Sequence, residues 1–131
     1  MNKIQAKIAK ITKNNACAFI KLESLHSNAV FSALMLDFSD NLTLGQSCKV
    51  VFKESEVMIA DKDYVKISAR NRFVSPICAI ESDEIFARIY LAFEDGKITS
   101  LITKEALEAL DLKRGDEVAW FVKSNEVMIE F

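Results

Sequence analysis

Hydrogen-bond donors that suit an anion are concentrated in two short segments of this sequence. Residues 68–71, Ser-Ala-Arg-Asn, combine a hydroxyl, a small residue that lets the backbone approach a ligand, a guanidinium and an amide. Lys123 adds a point charge, and Ser124 and Asn125 follow it with further donors. A tetrahedral oxyanion offers only acceptors, so its site needs converging N–H, hydroxyl and cationic groups. Alone, each cation is an ordinary solvated surface charge, so an anion site requires a fold that brings the segments together.

Other chemistries have little support in this sequence. It contains three glycines, and neither the phosphate-binding P-loop pattern nor the dinucleotide glycine pattern occurs. One histidine, His26, and three cysteines without C-x-x-C spacing cannot form a thiol or imidazole metal cluster. No nucleophile–base pair is visible. We therefore expect a binding protein rather than an enzyme, with no metal site and no cofactor.

The composition favours a folded cytoplasmic protein. Of 131 residues, 50% are hydrophobic and 27% are charged, which is the balance of globular domains. Residues 1–15 lack the apolar core of a signal peptide, and no stretch is long enough for a membrane span, so we expect no membrane contact. The net charge of -2 argues against nucleic acid as a partner. Cys17, Cys48 and Cys78 are expected to be small buried side chains in a reducing compartment.

The chain contains two copies of one pattern. The segment 53–59, Lys-Glu-Ser-Glu-Val-Met-Ile, returns at 123–129 as Lys-Ser-Asn-Glu-Val-Met-Ile, 70 positions later. One glycine of each half keeps the same offset, and an apolar segment near the start of each half matches at an offset of 69. The shared order of features predicts two domains, 1–63 and 64–131.

The second half shows the local signals of a small β-barrel. Asp95-Gly96 predicts a hairpin turn, Thr103 a helix N-cap and Gly115 a left-handed residue. Pro76 fits an edge or a bulge of the opening strand. Five strands and one helical turn before the fourth strand suit a five-stranded Greek-key barrel of the oligonucleotide/oligosaccharide-binding (OB) type. We place the strands at about 73–81, 84–93, 97–103, 117–122 and 126–131, and the helix at 104–110.

The opening segment of the first half fits two descriptions. Ile4, Ile8 and Ile11 have helical spacing, and lysines follow a similar period, as in a basic amphipathic helix. As a strand, the segment would place Ile4, Ala6 and Ile8 on one face. Because the repeat aligns this segment with the opening strand of the second half, we favour the strand.

The motifs of the second half resemble the molybdate-binding Mop/TOBE family. They are Ser68-Ala69-Arg70-Asn71 at the start of a barrel, Ile98-Thr99-Ser100-Leu101-Ile102-Thr103 in its middle, and Leu112-Lys113-Arg114-Gly115 followed by Lys123. The resemblance covers about residues 66–131, and residues 2–60 are similar to a second, divergent copy. It implies an all-β fold of two tandem five-stranded Greek-key (OB-like) barrels, each with one short helix.

This resemblance implies a ligand, a site and an assembly. The chain would bind molybdate or tungstate at subunit interfaces, for storage, buffering or sensing. At each interface the Ser-Ala-Arg-Asn strand of one subunit would meet the lysine-bearing turn of another, and the Thr-Ser strand segment would contribute as well. The implied site residues are Ser68, Ala69, Arg70, Asn71, Thr99, Ser100, Lys123 and Ser124. A second, weaker site would use Lys53 and Ser55. Because a barrel of about 60 residues buries little surface, we expect a homo-oligomer, with a trimer favoured over a dimer.

An alternative function follows from the carboxylates near the two lysines. Glu54, Glu56 and Glu126 lie within three positions of Lys53 or Lys123. A desolvated carboxylate that faces a dianion repels it. The first half also opens with Asn-Lys-Ile-Gln at residues 2–5 and has no equivalent arginine. The chain would then be a regulatory or assembly TOBE module of a molybdate regulator or transporter, with weak or lost ligand binding.

Overall fold

Two antiparallel five-stranded sheets form the molecule in the computed structural model, which describes residues 1–36, 41–63 and 66–131. The described part holds one α-helix and two short 3₁₀ turns beside the strands. The strands are β1 (Asn2–Lys13), β2 (Ala18–Ser24), β3 (Val30–Met35), β4 (Ser47–Phe52), β5 (Met58–Asp61), β6 (Asn71–Ser82), β7 (Phe86–Phe93), β8 (Gly96–Thr103), β9 (Glu117–Val122) and β10 (Met128–Glu130). The helix α1 is Lys104–Ala109, and the 3₁₀ turns are Glu54–Glu56 and Ser124–Glu126.

The two halves exchange their last strands. The sheet orders are β10-β4-β1-β2-β3 and β5-β9-β6-β7-β8, so each sheet takes four strands from one half and one from the other. Met128 of β10 lies opposite Val51 of β4, and Met58 of β5 lies opposite Phe121 of β9. The domain limits of 1–63 and 64–131 stay a prediction, and the hydrogen-bonded sheets cross them.

The opening segment is a strand, as expected. Along β1 the side chains alternate between buried and exposed, and Ile4, Ala6 and Ile8 all face the core. A bulge between Ile8 and Lys10 shifts the register with β2 by one residue. Because a bulge absorbs one residue of the strand, Ile8 and Ile11 are brought to one face although they are three positions apart. The bulge therefore explains the helical spacing.

The repeat is visible in the backbone. Gly45 and Gly115 have φ angles of 83° and 95°, the left-handed region that glycine enters without strain. Gly45 donates its N–H to the carbonyl of Ile8 at 2.7 Å, and Gly115 donates to that of Ile77 at 2.8 Å. The left-handed glycine expected at position 115 is confirmed, and its counterpart in the first half makes the same contact.

The local predictions for the second half are largely confirmed. The Thr103 hydroxyl accepts from the N–H of Ala106 at 3.0 Å and caps α1. Pro76 ends the β6–β9 ladder directly before a β6 bulge, where no N–H is needed. The helical turn expected before β4 falls in a segment of which 37–40 lie outside the described residues.

The hairpin turn after β7 differs from its prediction by one position. Phe93 pairs with Gly96, so Glu94 and Asp95 form the loop rather than Asp95 and Gly96. Glu94 takes the positive φ, at 55°. Its carboxylate accepts from the hydroxyls of two first-half serines, Ser24 and Ser27. These contacts join the loop to the other half of the molecule.

A single aromatic cluster fills the space between the sheets. Phe31 and Phe52 of the first half meet Phe73, Phe93 and Trp120 of the second, with ring centroids 4.8–6.2 Å apart. Rings at such distances add attraction beyond the area that they bury. The two halves thus share one core, which accounts for the high apolar content of so short a chain.

The expectation of three buried cysteines is wrong in part. Cys48 is buried, and burial raises the pKa of its thiol. Cys17 is half-buried and Cys78 is exposed. Cys78 is the additional residue of the bulge in β6, between Ile77 and Ala79, which turns it away from the core.

No helix in the described ranges is long and apolar enough to cross a membrane.

Removing the hydroxyl of Ser75 should destabilise the shared core. The indole N–H of Trp120, which is fully buried, donates to this hydroxyl at 3.0 Å. Ser75→Ala leaves the indole N–H without an acceptor, so we expect the free energy of unfolding to fall by about 1–3 kcal/mol. Urea unfolding followed by the fluorescence of Trp120, the one tryptophan, measures it. Ser47→Ala, at an exposed strand position, is the control and should change stability little; an equal loss in both variants would contradict the role of Ser75.

Candidate functional site

The two donor segments leave the same end of neighbouring strands. β6 begins at Asn71 and β9 ends at Val122, and these two residues are paired. Arg70 therefore precedes one strand at the point where Lys123 follows the other. Both side chains are exposed. The fold thus brings together the segments that the sequence analysis required to converge.

The residues before β6 combine a buried anchor with exposed donors. Ala69 is buried, which holds the backbone against the protein, whereas Ser68 on one side and Arg70 on the other are exposed. One guanidinium nitrogen of Arg70 donates to the carbonyl of Ile67 at 3.2 Å. This contact orients the guanidinium and leaves further N–H groups for a ligand, because arginine carries five.

Asn71 fixes this end of the site to the other half of the molecule. Its side chain is 1% exposed. Its amide nitrogen donates to the carbonyl of Ser32 at 2.9 Å, and its amide oxygen accepts from the N–H of Ser32 at 2.6 Å. The Asn71 side chain thus makes the two hydrogen bonds with the Ser32 backbone that a neighbouring strand would make with β3. It positions the segment.

Ser32 is a further member of this group of residues, and the sequence analysis did not identify it. Its hydroxyl lies 2.7 Å from that of Ser124, in the 3₁₀ turn after Lys123. The turn begins at Lys123, whose backbone is extended with φ −68° and ψ 146°. Asn71, Ser32 and Ser124 form a connected polar group, and together with residues 68–70 and Lys123 we call it the second-half cluster. The strand register reveals Ser32, since its place in β3 corresponds to that of Thr99 in β8.

Thr99 and Ser100 do not belong to the second-half cluster of their own chain. Asn2 holds the backbone of Thr99 through two bonds of 2.9 Å, as Asn71 holds Ser32. The Ser100 hydroxyl donates to the carbonyl of Val57 at 2.7 Å, at the end of the 3₁₀ turn that follows Lys53. These residues, with Glu54 and Ser55 of that turn, form what we call the first-half cluster. Within one chain, Thr99 and Ser100 are therefore grouped with the expected second site and not with Ser68.

The first-half cluster contains a carboxylate at a position where the second-half cluster has a hydroxyl. Glu54 is the first residue of its turn, as Ser124 is of the other. A guanidinium nitrogen of Arg88, in β7, donates to Glu54 at 2.6 Å. The other carboxylate oxygen lies 3.6 Å from the amino-terminal nitrogen of Met1, an ammonium that forms a second ion pair with Glu54. Sequence analysis identified the carboxylate but gave no sign of its arginine partner.

This arrangement is suited to binding an anion. The second-half cluster offers cationic, hydroxyl and amide donors, which bind an anion without reacting with it. Among residues 1–36, 41–63 and 66–131, no three His, Cys, Asp or Glu side chains are grouped so as to hold a metal ion. Fold and site together define a tandem β protein of the small-ligand-binding class.

Comparisons with known proteins narrow this class. Residues 67–129 match the model of the TOBE domain. Over 66 residues, half of this chain, it is 35% identical to "Molybdenum-pterin-binding protein 3" of Clostridium pasteurianum, 97% of which is covered. It is 27% identical over 89 residues, 67% of this chain, to "Molybdenum transport protein ModE" of Azotobacter vinelandii, with 33% of that protein covered. The chain therefore belongs to the Mop/TOBE family.

A solved structure extends the likeness to both halves. The cytoplasmic molybdate-binding protein ModG, in a form with molybdate bound, has a TM-score of 0.90 and 25% sequence identity with this chain. The alignment covers 98% of this chain and 94% of that one. The tandem fold of OB type expected from the sequence is confirmed at this level, including the divergent first half.

The two buried asparagines, Asn2 and Asn71, should contribute more to the stability of the fold than to ligand binding. Asn71→Ala leaves the N–H and the carbonyl of Ser32 without partners, and Asn2→Ala does the same at Thr99. Since each buried unpaired group costs about 1–3 kcal/mol, we expect each substitution to lower the free energy of unfolding by about 2 kcal/mol or more. Urea unfolding measures this. Asn125→Ala, at an exposed neighbouring position, is the control, and a similar loss there would contradict the positioning role.

Proposed function

We propose that this chain binds molybdate or tungstate in the cytoplasm, for storage, buffering or sensing, and catalyses no reaction. One observation carries the proposal: residues 68–70 and Lys123 leave paired strands at one end, where Asn71 and Ser124 both contact Ser32. Its relatives include a cytoplasmic molybdate-binding protein and molybdenum-pterin-binding proteins. No organic cofactor is part of the proposal.

The charges of the second-half cluster match a dianion. Arg70 and Lys123 contribute two positive charges, which balance the two negative charges of one molybdate. Near a protein surface a unit-charge pair at 4 Å gains about 4 kcal/mol, and partial exposure of both side chains reduces this through solvent screening. The hydroxyls of Ser68 and Ser124 add directional donors. At the position of Ser124 no carboxylate opposes the anion.

We also propose that the complete site lies between copies of the chain. Thr99 and Ser100 are grouped with the first-half cluster of their own chain. For all eight expected residues to surround one anion, these two must come from another subunit. We propose that the chain forms a trimer, with a dimer as the second choice. We also propose that the strands of each sheet follow a closed Greek-key topology.

The alternative is a TOBE module for regulation or assembly with weak or lost ligand binding. The ion pair between Glu54 and Arg88 favours it for the first half, because a carboxylate there opposes a second anion. Saturating molybdate should raise the melting temperature if the native state binds it, since a native-state ligand stabilises by mass action. An unchanged melting temperature would favour the alternative.

Calorimetric titration with molybdate tests the proposed function. We expect Arg70→Ala and Lys123→Ala each to weaken affinity about tenfold or more, because a charged hydrogen bond is worth about 1.5–3 kcal/mol. Arg114→Ala removes an exposed charge outside the cluster and is the matched control. Sulfate and tungstate titrations define the selectivity. Absence of binding to wild-type protein, or equal losses in all three variants, would contradict the proposal.

Light scattering coupled to size exclusion tests the assembly. We expect the mass of a trimer of the 14.7 kDa chain, and the same mass in the presence of molybdate. A monomer at every concentration would contradict a site completed by a second subunit.

A further inference from the structure

The two halves carry the same framework at each cluster. Lys53 and Lys123 precede their 3₁₀ turns with nearly equal backbone angles, φ −72° and ψ 145° against φ −68° and ψ 146°. The turn after Lys53 packs on β8, and the turn after Lys123 packs on β3. Asn2 and Asn71 make matching pairs of backbone bonds to those same strands. Equivalent positions in the two clusters can therefore be compared one by one.

Three equivalences decide the chemistry of the first-half cluster. Asn2 corresponds to Asn71, so Met1 corresponds to Arg70, and Glu54 corresponds to Ser124. The Glu54 carboxylate lies 3.6 Å from the amino-terminal nitrogen of Met1, which is an ammonium. It thus extends toward the position that, in the second-half cluster, belongs to the backbone nitrogen of Arg70.

A cation from another strand neutralises this carboxylate. Arg88 donates to Glu54 at 2.6 Å in a short, charge-assisted hydrogen bond. The Glu54 side chain is 25% exposed, which makes it the more protected partner. By strand register Arg88 corresponds to Phe19, so the second-half cluster has no equivalent arginine. Acid and arginine thus occur together at the first-half cluster, and the equivalent positions of the second-half cluster hold Ser124 and Phe19.

We propose that the chain's own Glu54 occupies the first-half cluster as an internal anion, held by Arg88, and excludes a second oxyanion. This deepens, and rests on, the proposed function of the second-half cluster. Removing the carboxylate frees the Arg88 guanidinium and the Met1 ammonium, its two ion-pair partners. The cluster then takes a tetrahedral oxyanion of the same class. In wild-type protein the binding capacity lies in the second half.

Equilibrium dialysis against molybdate, with elemental analysis of bound molybdenum, tests this. Glu54→Ser reproduces the residue at the equivalent position, Ser124, and should bind one more molybdate per chain than wild-type protein. Glu56→Ser removes the same charge from the same turn and should bind as wild type does. The double variant Glu54→Ser with Arg88→Ala should lose the gain. Circular dichroism monitors folding, and Glu54→Gln, which keeps the side-chain length, is the second variant if Glu54→Ser fails to fold.

The outcomes separate this inference from the proposed function. A gain in Glu54→Ser or Glu54→Gln, absent from Glu56→Ser, supports the internal anion, whether or not wild-type protein binds. If wild-type protein binds molybdate and neither Glu54 variant binds more, the inference is overturned and the proposed function stands. An equal gain in Glu56→Ser overturns it as well, because net charge alone then explains the effect. If no form binds, both proposals fail.

Discussion

The buried asparagine bridges are the constraint on which the rest of the structure depends. Asn71 joins the start of β6 to β3, and Asn2 joins the start of β1 to β8. Each bridge satisfies an N–H and a carbonyl that would otherwise be buried without partners, a penalty of about 1–3 kcal/mol per group. Because each bridge links opposite halves, it fixes the strand ends from which the donor segments extend. The strand exchange and the shared aromatic cluster then make the halves one unit.

This symmetric framework carries unequal chemistry. The second-half cluster combines Arg70 and Lys123 with a hydroxyl at position 124, and so presents cations and neutral donors. The first-half cluster has Glu54 at the equivalent position and an arginine from β7 that balances it. Equivalent backbone positions thus carry hydrogen-bond donors in the second-half cluster and an ion pair in the first-half cluster.

Much of the fold was predictable because its signals are local or repeated. The 70-residue offset, the alternation along β1 and the Thr103 cap each depend on neighbouring residues or on a direct match between halves. The strand exchange was not predictable. β5 and β10 follow near-identical segments, and nothing in their sequence says which sheet each joins. The spacing of Ile8 and Ile11 was ambiguous because a bulge, which leaves no mark in composition, absorbs one residue.

Only the exposed donors of the candidate site could be predicted from the sequence. Ser68, Arg70 and Lys123 could be identified from residue type and family resemblance. The partner of Asn71 could not, because Ser32 belongs to the divergent half and is found only through strand register. Arg88 could not be predicted either, since its role arises from its contact with Glu54, 34 positions away in the chain. Long-range pairings of this kind are set by the fold and not by local pattern.

The central claim is that an oxyanion binds at the end of β6 and β9, between Arg70 and Lys123. Anomalous diffraction at the molybdenum absorption edge, from crystals grown with molybdate, tests it most directly. The account predicts a strong anomalous peak beside Lys123, within hydrogen-bond distance of the segment 68–70, and none beside Lys53. A peak beside Lys53 alone, or no peak at either lysine, would contradict it.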